Sequence, residues 1–411
     1  ICEMVLHHNR TLIMDNGGHS IKMGWNNDDD PRVFPNAVVK GKNERKRVFV
    51  GEELSECTDR SSLYFLLPCE KGYIVNWGVQ QQIWERSLRD ENVEGERIVL
   101  THPNILVPAI KDESTEILFE LFRFDALFKS STSGLIVQCN RSSRVSLVID
   151  CGFSFTHIVP SIDGKIIQEG VIRMDIGGKI LTNQLKEWIS YRELNVVEET
   201  YVMNECKEDS CFVSLNFGQD MNISKNRGEE NSIVREYVLP DFSTRQRGLL
   251  RIPIRTIEDE VQKIRLNVER FALPEILFNP SDIGINQMGI AECVVESVNR
   301  CPKNIRIALL QNIHILGGST QFPHFIDRLL GDISSMVESE VKLSDDMDGN
   351  DPITRGWRAG KRLVNQGILE KKFVTKAQYD EEGEEACRRS FFHFISNEEK
   401  ENESLDKRRK R

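Results

Sequence analysis

The stretch LIMDNGGHSIKMGW, Leu12 to Trp25, sets one carboxylate, Asp15, before paired glycines, Gly17 and Gly18, with Lys22 just beyond them. A carboxylate, bare backbone amides and an ammonium group brought together can hold Mg²⁺ and phosphate, because Mg²⁺ takes one or two carboxylates and completes its shell with water and phosphate oxygens. The same letters also fit an ordinary hairpin with a polar tip. A second stretch, SLVIDCGFSFTHIVP, Ser146 to Pro160, repeats the order of apolar strand, aspartate, glycine and strand, with Asp150 and Gly152 in the key places. A third, IHILGGSTQFPHFIDRLL, puts Gly317 and Gly318 between a strand and a helix, where turn amides can face a nucleotide. Each motif alone is weak; their order and spacing give them weight.

The elements that must position these residues follow from periodicity. In Ser20 to Trp25, Ile21, Met23 and Trp25 share one strand face and Lys22 takes the other. Leu12 to Met14 forms the preceding strand, and Gly17 and Gly18 are expected to supply the positive φ of a tight turn. RVFPNAVV adds a third strand and makes a meander. In the second copy, Phe153, Phe155 and His157 alternate onto one face, Asp163-Gly164 signals a hairpin turn, and KIIQEGVIRMD is expected to be its third strand. GGKILTNQLKEWI then opens a helix with Leu181, Leu185, Trp188 and Ile189 inward, and Phe325, Leu329 and Leu330 face inward from the helix after the third turn. Two similar halves imply a duplicated α/β fold with a cleft between them.

Composition bounds the function classes. With 411 residues the chain exceeds a single compact core and predicts two or more domains. No apolar run is long enough to span a bilayer, so no membrane role is expected. The ten cysteines show no CxxC pair, which argues against a zinc ribbon or a disulfide framework and for a reducing compartment. No basic-then-apolar leader pattern opens the chain, which leaves cytosol or nucleus. A net charge of −10 disfavours whole-surface nucleic-acid binding while leaving room for local basic patches.

Beyond the three turns, EKGYIVNWGVQQQIWERSL, ERFALPEILFNPSDIGINQMGI and VTKAQYDEEG follow in the order of the actin fold, and the chain resembles the actin-related protein family over nearly its whole length. YVLPDFST, Tyr237 to Thr244, within GEENSIVREYVLPDFST, is unlike conventional actin and similar to a nuclear branch of that family. The resemblance implies a duplicated α/β fold of the actin/hexokinase/Hsp70-like ATPase type, two large domains around a nucleotide cleft. Residues 10–138, completed by 353–394, would form the first half, and 139–352 the second, with an insertion around 222–254 and a charged tail at 395–411. It implies ATP or ADP with Mg²⁺, which Asp15 and Asp150 organise through water. Lys22 would reach the phosphates, the alternative being a solvated strand lysine. Gly17, Gly18, Gly152, Gly178, Gly317 and Gly318 would approach the nucleotide. Lys207 and Glu208 would meet its adenosine end, the alternative being a solvated helix face; Asn204 stands where the family has arginine. The branch implies a structural subunit of a nuclear Swr/SRCAP-type chromatin remodelling complex, which exchanges an ordinary nucleosomal core histone for its variant. Its partners would be a Swr-type ATPase, a small zinc-finger subunit and histones, and it would not homopolymerise.

Departures from the family pattern bear on turnover. The serine hydroxyl offered to the terminal phosphate falls on Gly18, and the acid of the second phosphate loop falls on Phe153. The water-positioning glutamine falls near Thr132, and Gln138, the nearest glutamine, lies where the next strand is expected. His157 matches the position tied to water activation, or is a packed core residue. Phosphoryl hydrolysis depends on positioning and electrostatics, so very slow turnover or none is expected, with nucleotide as an internal brace. The rival is a filament-forming actin-like ATPase of the cytoskeleton. A sugar or acetate kinase shares the hairpins but has no further resemblance. VKGKNERKRVFVGEEL is short and basic, and its Lys40, Lys42, Arg45, Lys46 and Arg47 could meet DNA phosphate or an acidic histone face, or form a solvated tip. Residues 222–254 read as a surface loop suited to complex formation. The polar end, expected to be disordered, closes with Lys407, Arg408, Arg409, Lys410 and Arg411, a nuclear import candidate.

Overall fold

The protein is described by a computed structural model over residues 10–41, 47–61, 63–105, 113–140, 143–253, 261–344 and 351–391. Lys42, Arg45 and Lys46 of the basic connection, and the whole Lys407 to Arg411 cluster, lie outside the described residues.

Two sheets repeat one plan. In the first, the antiparallel hairpin of Thr11–Asn16 and Ser20–Trp25 carries Arg32–Pro35 on its outer side as a meander, but Val38 and Val39, expected in the same strand, leave for a separate sheet. On its inner side Thr11–Asn16 runs parallel to Arg97–His102, followed by Ala126–Ser131 and, at the edge, Val374–Thr375. In the second, the antiparallel hairpin of Val145–Cys151 and Thr156–Ile162 likewise has a parallel neighbour, Ile313–Leu316, beside its first strand. Leu12, Ile13 and Met14 are all fully buried, as are Leu147, Val148 and Ile149. These first strands are covered on both faces, so their sequences are continuous apolar runs where the second strands can alternate. Each half has its own apolar core, one built around Trp84 and Trp357, the other around Leu185, Tyr237 and Phe325.

Helix Gly178–Arg192 buries Leu181, Leu185 and Ile189, with Trp188 half-buried, as its spacing predicts. Helix Phe325–Met336 buries Phe325 and Leu329, while Leu330 is only partly covered. The Asp163-Gly164 turn has φ of 51° and 74° at its two residues, as a two-residue hairpin requires.

Three expectations need correction. KIIQEGVIRMD is not one strand: Lys165–Ile166 and Ile172–Met174 are separate short strands split by a 3₁₀ turn at Gln168–Gly170, and both pair with Thr156–Ile162. Gly170 marks the break, since a Cβ there would lie 2.5 Å from Pro160 Cγ. Gln138 does not begin a strand. It lies in helix Thr132–Cys139, N-capped by Ser131, whose Oγ accepts from Gly134 N at 3.0 Å. The segment 222–254 is not a plain surface loop. Arg235–Val238 forms the centre of a three-stranded sheet between Leu249–Arg251 and Lys263–Leu266, and Tyr237 is fully buried. Charges at Arg235 and Glu236 hid a strand that buries only one large ring.

The halves are joined by helix Thr132–Cys139 packed on helix Arg355–Asn365. Gly360 lets the second helix approach the first sheet, since a Cβ there would meet Ile13 Cγ2 at 2.9 Å. At the opposite end, the small sheet of Val38–Gly41, Val48–Val50 and Leu63–Leu66 reaches across to the second half. Arg60 Nη1 donates to the hydroxyl of Tyr201 at 2.6 Å, and the Tyr201 ring stacks on Phe65 at 6.4 Å.

Candidate functional site

The turns carrying Gly17 and Gly18, Gly152, and Gly317 and Gly318 open into one cavity of about 440 Å³ between the halves. Its wall includes every residue assigned to nucleotide on sequence grounds: Asp15, Gly17, Gly18, Lys22, Asp150, Gly152, Gly178, Lys207, Glu208, Gly317 and Gly318. That size falls within the range of small-molecule and cofactor clefts.

Duplication places the two aspartates in equivalent registers. Asp15 lies across its hairpin from Lys22, and Asp150 lies across its own from His157. Asp15 Oδ1 accepts from Thr101 Oγ1 at 2.8 Å and from Thr132 Oγ1 at 3.2 Å, while Lys22 Nζ approaches Oδ2 to 3.7 Å. Lys22 is therefore an inward cation of the cleft wall and not a solvated strand lysine. The Asp150 carboxylate faces the cavity with no hydrogen bond among the described residues. Burial pushes its carboxyl up to about 7, the charge of Asp15 adds to the rise, and Lys22 opposes it.

A divalent cation fits this arrangement. Among the described residues no three His, Cys, Asp or Glu side chains form a metal cage. Two carboxylates facing one cavity, one of them without a protein partner, match an ion that keeps most of its water and takes the rest of its shell from phosphate. When bound, Mg²⁺ would supply charge neutralisation of the phosphate tail, with Asp15 and Asp150 holding its waters.

The glycines of the hairpin tip serve close approach and not the expected positive φ: neither Gly17 nor Gly18 is in the left-handed region. A Cβ on Gly17 would lie 2.8 Å from Ser20 O, and one on Gly18 would lie 2.6 Å from Ser154 Oγ, on the opposite hairpin. Gly317 does need its glycine twice over, with φ of 98° and a Cβ position 2.2 Å from Cys151 O.

At the end of the cavity where adenosine was expected, Lys207 is buried and not part of a solvated face. Its Nζ donates to Asn204 Oδ1 at 2.8 Å, Thr182 Oγ1 at 2.9 Å and Gly178 O at 3.2 Å, using all three donors. Burial lowers its ammonium to about 8, with Glu208 opposing. Glu208 lies at the exposed rim and accepts from Asn204 Nδ2 at 2.7 Å. Arg247, which the sequence reading left in a surface loop, also lines the cavity, and its Nη2 donates to Asp209 Oδ1 at 2.7 Å. The signal that could have found it is the strand carrying Tyr237: the Tyr237 hydroxyl donates to Asp209 Oδ2 at 3.3 Å, tying the loop to the rim.

The residues expected to govern turnover divide. The ring of Phe153 lines the cavity and packs on His19 at 4.7 Å. Gln138 is turned away, its amide donating to Gly134 O at 3.1 Å and its oxygen accepting from Lys372. His157 is fully buried, does not line the cavity and contacts Phe155 at 4.2 Å and Asn104 Nδ2 at 3.2 Å. Burial lowers its imidazole to about 3, with Arg173 adding to the fall, so it is a neutral core side chain at physiological pH.

Residues 6–392 match the family model for actin. The chain belongs to the actin family. Its two sheets, equivalent hairpins and shared cleft are those of that family's α/β ATPase fold. Among actin-family relatives, it is 44% identical over 408 residues to an actin-like protein of Caenorhabditis elegans, covering 98% of this chain and 97% of the relative. It is 40% identical over 390 residues to actin-related protein 6 of Drosophila melanogaster, covering 91% and 98%. With actin-related protein 6 of Arabidopsis thaliana it shares 34% over 423 residues, covering 93% and 99%. The actin-related protein resemblance thus extends along essentially the full described chain.

Of the basic connection's described residues, Lys40 and Arg47 are both exposed, and Arg47 pairs with Glu56 and lies over the Phe49 ring at 4.8 Å. The nine cysteines among the described residues are all free thiols. No helix among the described residues is long and apolar enough to cross a membrane.

Proposed function

We propose that this actin-family chain is a non-catalytic structural subunit of a Swr/SRCAP-type chromatin remodelling complex in the nucleus. It binds ATP or ADP with Mg²⁺ as an internal brace and acts in complex assembly and histone exchange. A Swr-type ATPase, a small zinc-finger subunit and histones are its partners in this reading. The similarity to proteins named actin-related protein 6 supports the assignment to that branch.

The observation that carries the non-catalytic reading is Phe153. Hydrolysis needs a water held in line and charge to order it. At the hairpin tips the cleft presents the carboxylates of Asp15 and Asp150 and, in place of a third acid, an aromatic ring packed on His19. His157 is sealed in the core and Gln138 is engaged elsewhere. A ligand held without turnover stabilises the closed form by its binding free energy alone.

Single-turnover hydrolysis of ATP combined with sedimentation tests the reading, with no phosphate release and no pelleting expected. Hydrolysis coupled to pelleting would establish the filament-forming ATPase instead. Affinity capture of the full chain from nuclei is expected to recover a remodelling ATPase and histones; recovery of cytoplasmic filaments without them overturns the complex assignment.

A further inference from the structure

The hydroxyl of Ser154 occupies the space that a side chain at residue 18 would fill, 2.6 Å from the Cβ position of Gly18. A side chain at residue 18 would make that hydroxyl turn away, while the Ser154 Cβ, 3.8 Å off, would stay in ordinary contact. Ser154 lines the same cavity as Asp15, Lys22 and Asp150. Its neighbours are already committed. Asp15 accepts from Thr101 and Thr132, Asn36 Nδ2 donates to Gly17 O at 2.9 Å, and Asn16 Oδ1 accepts from Trp84 Nε1 at 3.1 Å. The Ser154 hydroxyl, by contrast, makes no hydrogen bond among the described residues. The turn that carries it is fixed on both sides, by Gly152 N donating to Phe155 O at 3.0 Å and Lys179 N donating to Phe153 O at 2.9 Å.

We propose that Ser154 is a phosphate-binding residue, its hydroxyl donating to the phosphate tail of a bound nucleotide from the second hairpin, in the space vacated by Gly18 on the first. The proposal rests on the nucleotide reading of the cleft. A hydroxyl donating to an anionic oxygen forms a charge-assisted bond, stronger than a neutral one. A small side chain on a fixed turn loses little freedom when it does so. Gly18 then leaves the Ser154 hydroxyl room to hold its present orientation.

Calorimetric titration of the full chain with MgATP tests this in four forms: wild type, Ser154→Ala, Gly18→Ser, and the double variant Gly18→Ser with Ser154→Gly. Ser154→Ala is expected to weaken MgATP binding about tenfold, the size of one hydrogen bond to a charged group. Gly18→Ser alone is expected to weaken it as well, because the added side chain turns the Ser154 hydroxyl out of its place. The double variant is expected to bind tighter than either single one, since it offers one hydroxyl from the first hairpin with none to displace. Wild-type affinity in Ser154→Ala, or a double variant no better than Gly18→Ser, overturns the proposal while leaving nucleotide binding intact. Absence of MgATP binding by the wild type overturns the nucleotide reading itself. Melting curves without nucleotide show whether Ser154→Ala is folded, and Ser154→Gly provides a second hydroxyl deletion.

Discussion

Asp150 holds the place in the second hairpin that Asp15 holds in the first, yet the Asp15 carboxylate is hydrogen-bonded by Thr101 and Thr132 while the Asp150 carboxylate is hydrogen-bonded by nothing among the described residues. The asymmetry concentrates the electrostatic cost of the cleft on one carboxyl group.

That cost has a sign in pH. Asp150 is raised from 3.8 to about 7 by burial and by Asp15, so the folded chain binds a proton that the unfolded chain has released. The nucleotide-free protein therefore loses this contribution as pH rises from about 4 to 7, and keeps it in full below the unfolded value. Asp150→Asn is expected to gain in melting temperature relative to wild type across that window, most at the alkaline end. Saturating MgATP is expected to erase the difference in slope, because the ion favours the charged carboxylate. Parallel melting profiles for the two proteins would count against the assignment.

Tyr237 anchors the sheet that carries Arg247 to the cleft rim. Truncation of a fully buried aromatic ring costs about 3–5 kcal/mol, and Tyr237→Ala is expected to lower the unfolding free energy in urea by that order. Tyr237→Phe removes only the bond to Asp209 and is expected to cost about 1 kcal/mol. Gly248→Ala should resemble the larger effect, since its Cβ would lie 2.3 Å from the Tyr237 ring.

Gly356 ties the connecting helices to the cleft. Its Cβ would lie 2.4 Å from Thr132 Cγ2 and 3.3 Å from Asp15 Oδ2. Gly356→Ala is expected to destabilise the chain by about 1–3 kcal/mol through overpacking, and to weaken MgATP binding by displacing Thr132 from Asp15. Chemical denaturation and calorimetry read the two effects separately.

The clasp between Arg60 and Tyr201 crosses from one half to the other, and the Arg60 guanidinium also lies over the Tyr201 ring at 5.3 Å. Tyr201→Ala is expected to speed release of a fluorescent nucleotide about tenfold, the size of one charge-assisted contact. Arg60→Ala should do the same, and the double variant should add little. An unchanged release rate in stopped flow would show that the clasp does not govern escape.

Much of this arrangement was legible in the sequence because its signals are local. Asp15, Lys22 and Asp150 sit in short hairpins whose period-two pattern and polar tips set their direction, and the repeated order of strand, acid and glycine revealed the duplication. What stayed hidden depends on contacts between distant segments. Nothing near Gly18 in the chain announces Ser154, and nothing near Lys207 announces that Gly178 and Thr182 take two of its donors. Arg247 was misplaced for the same reason. It lies between strands Arg235–Val238 and Leu249–Arg251, and the first of these buries Glu236, Tyr237 and Val238 in succession, which leaves no alternation to read.

Gly18 and Ser154 also couple the two hairpins. A side chain at residue 18 must turn the Ser154 hydroxyl aside, so a change at one tip is felt at the other. The effect of a substitution on either hairpin therefore depends on what stands opposite it.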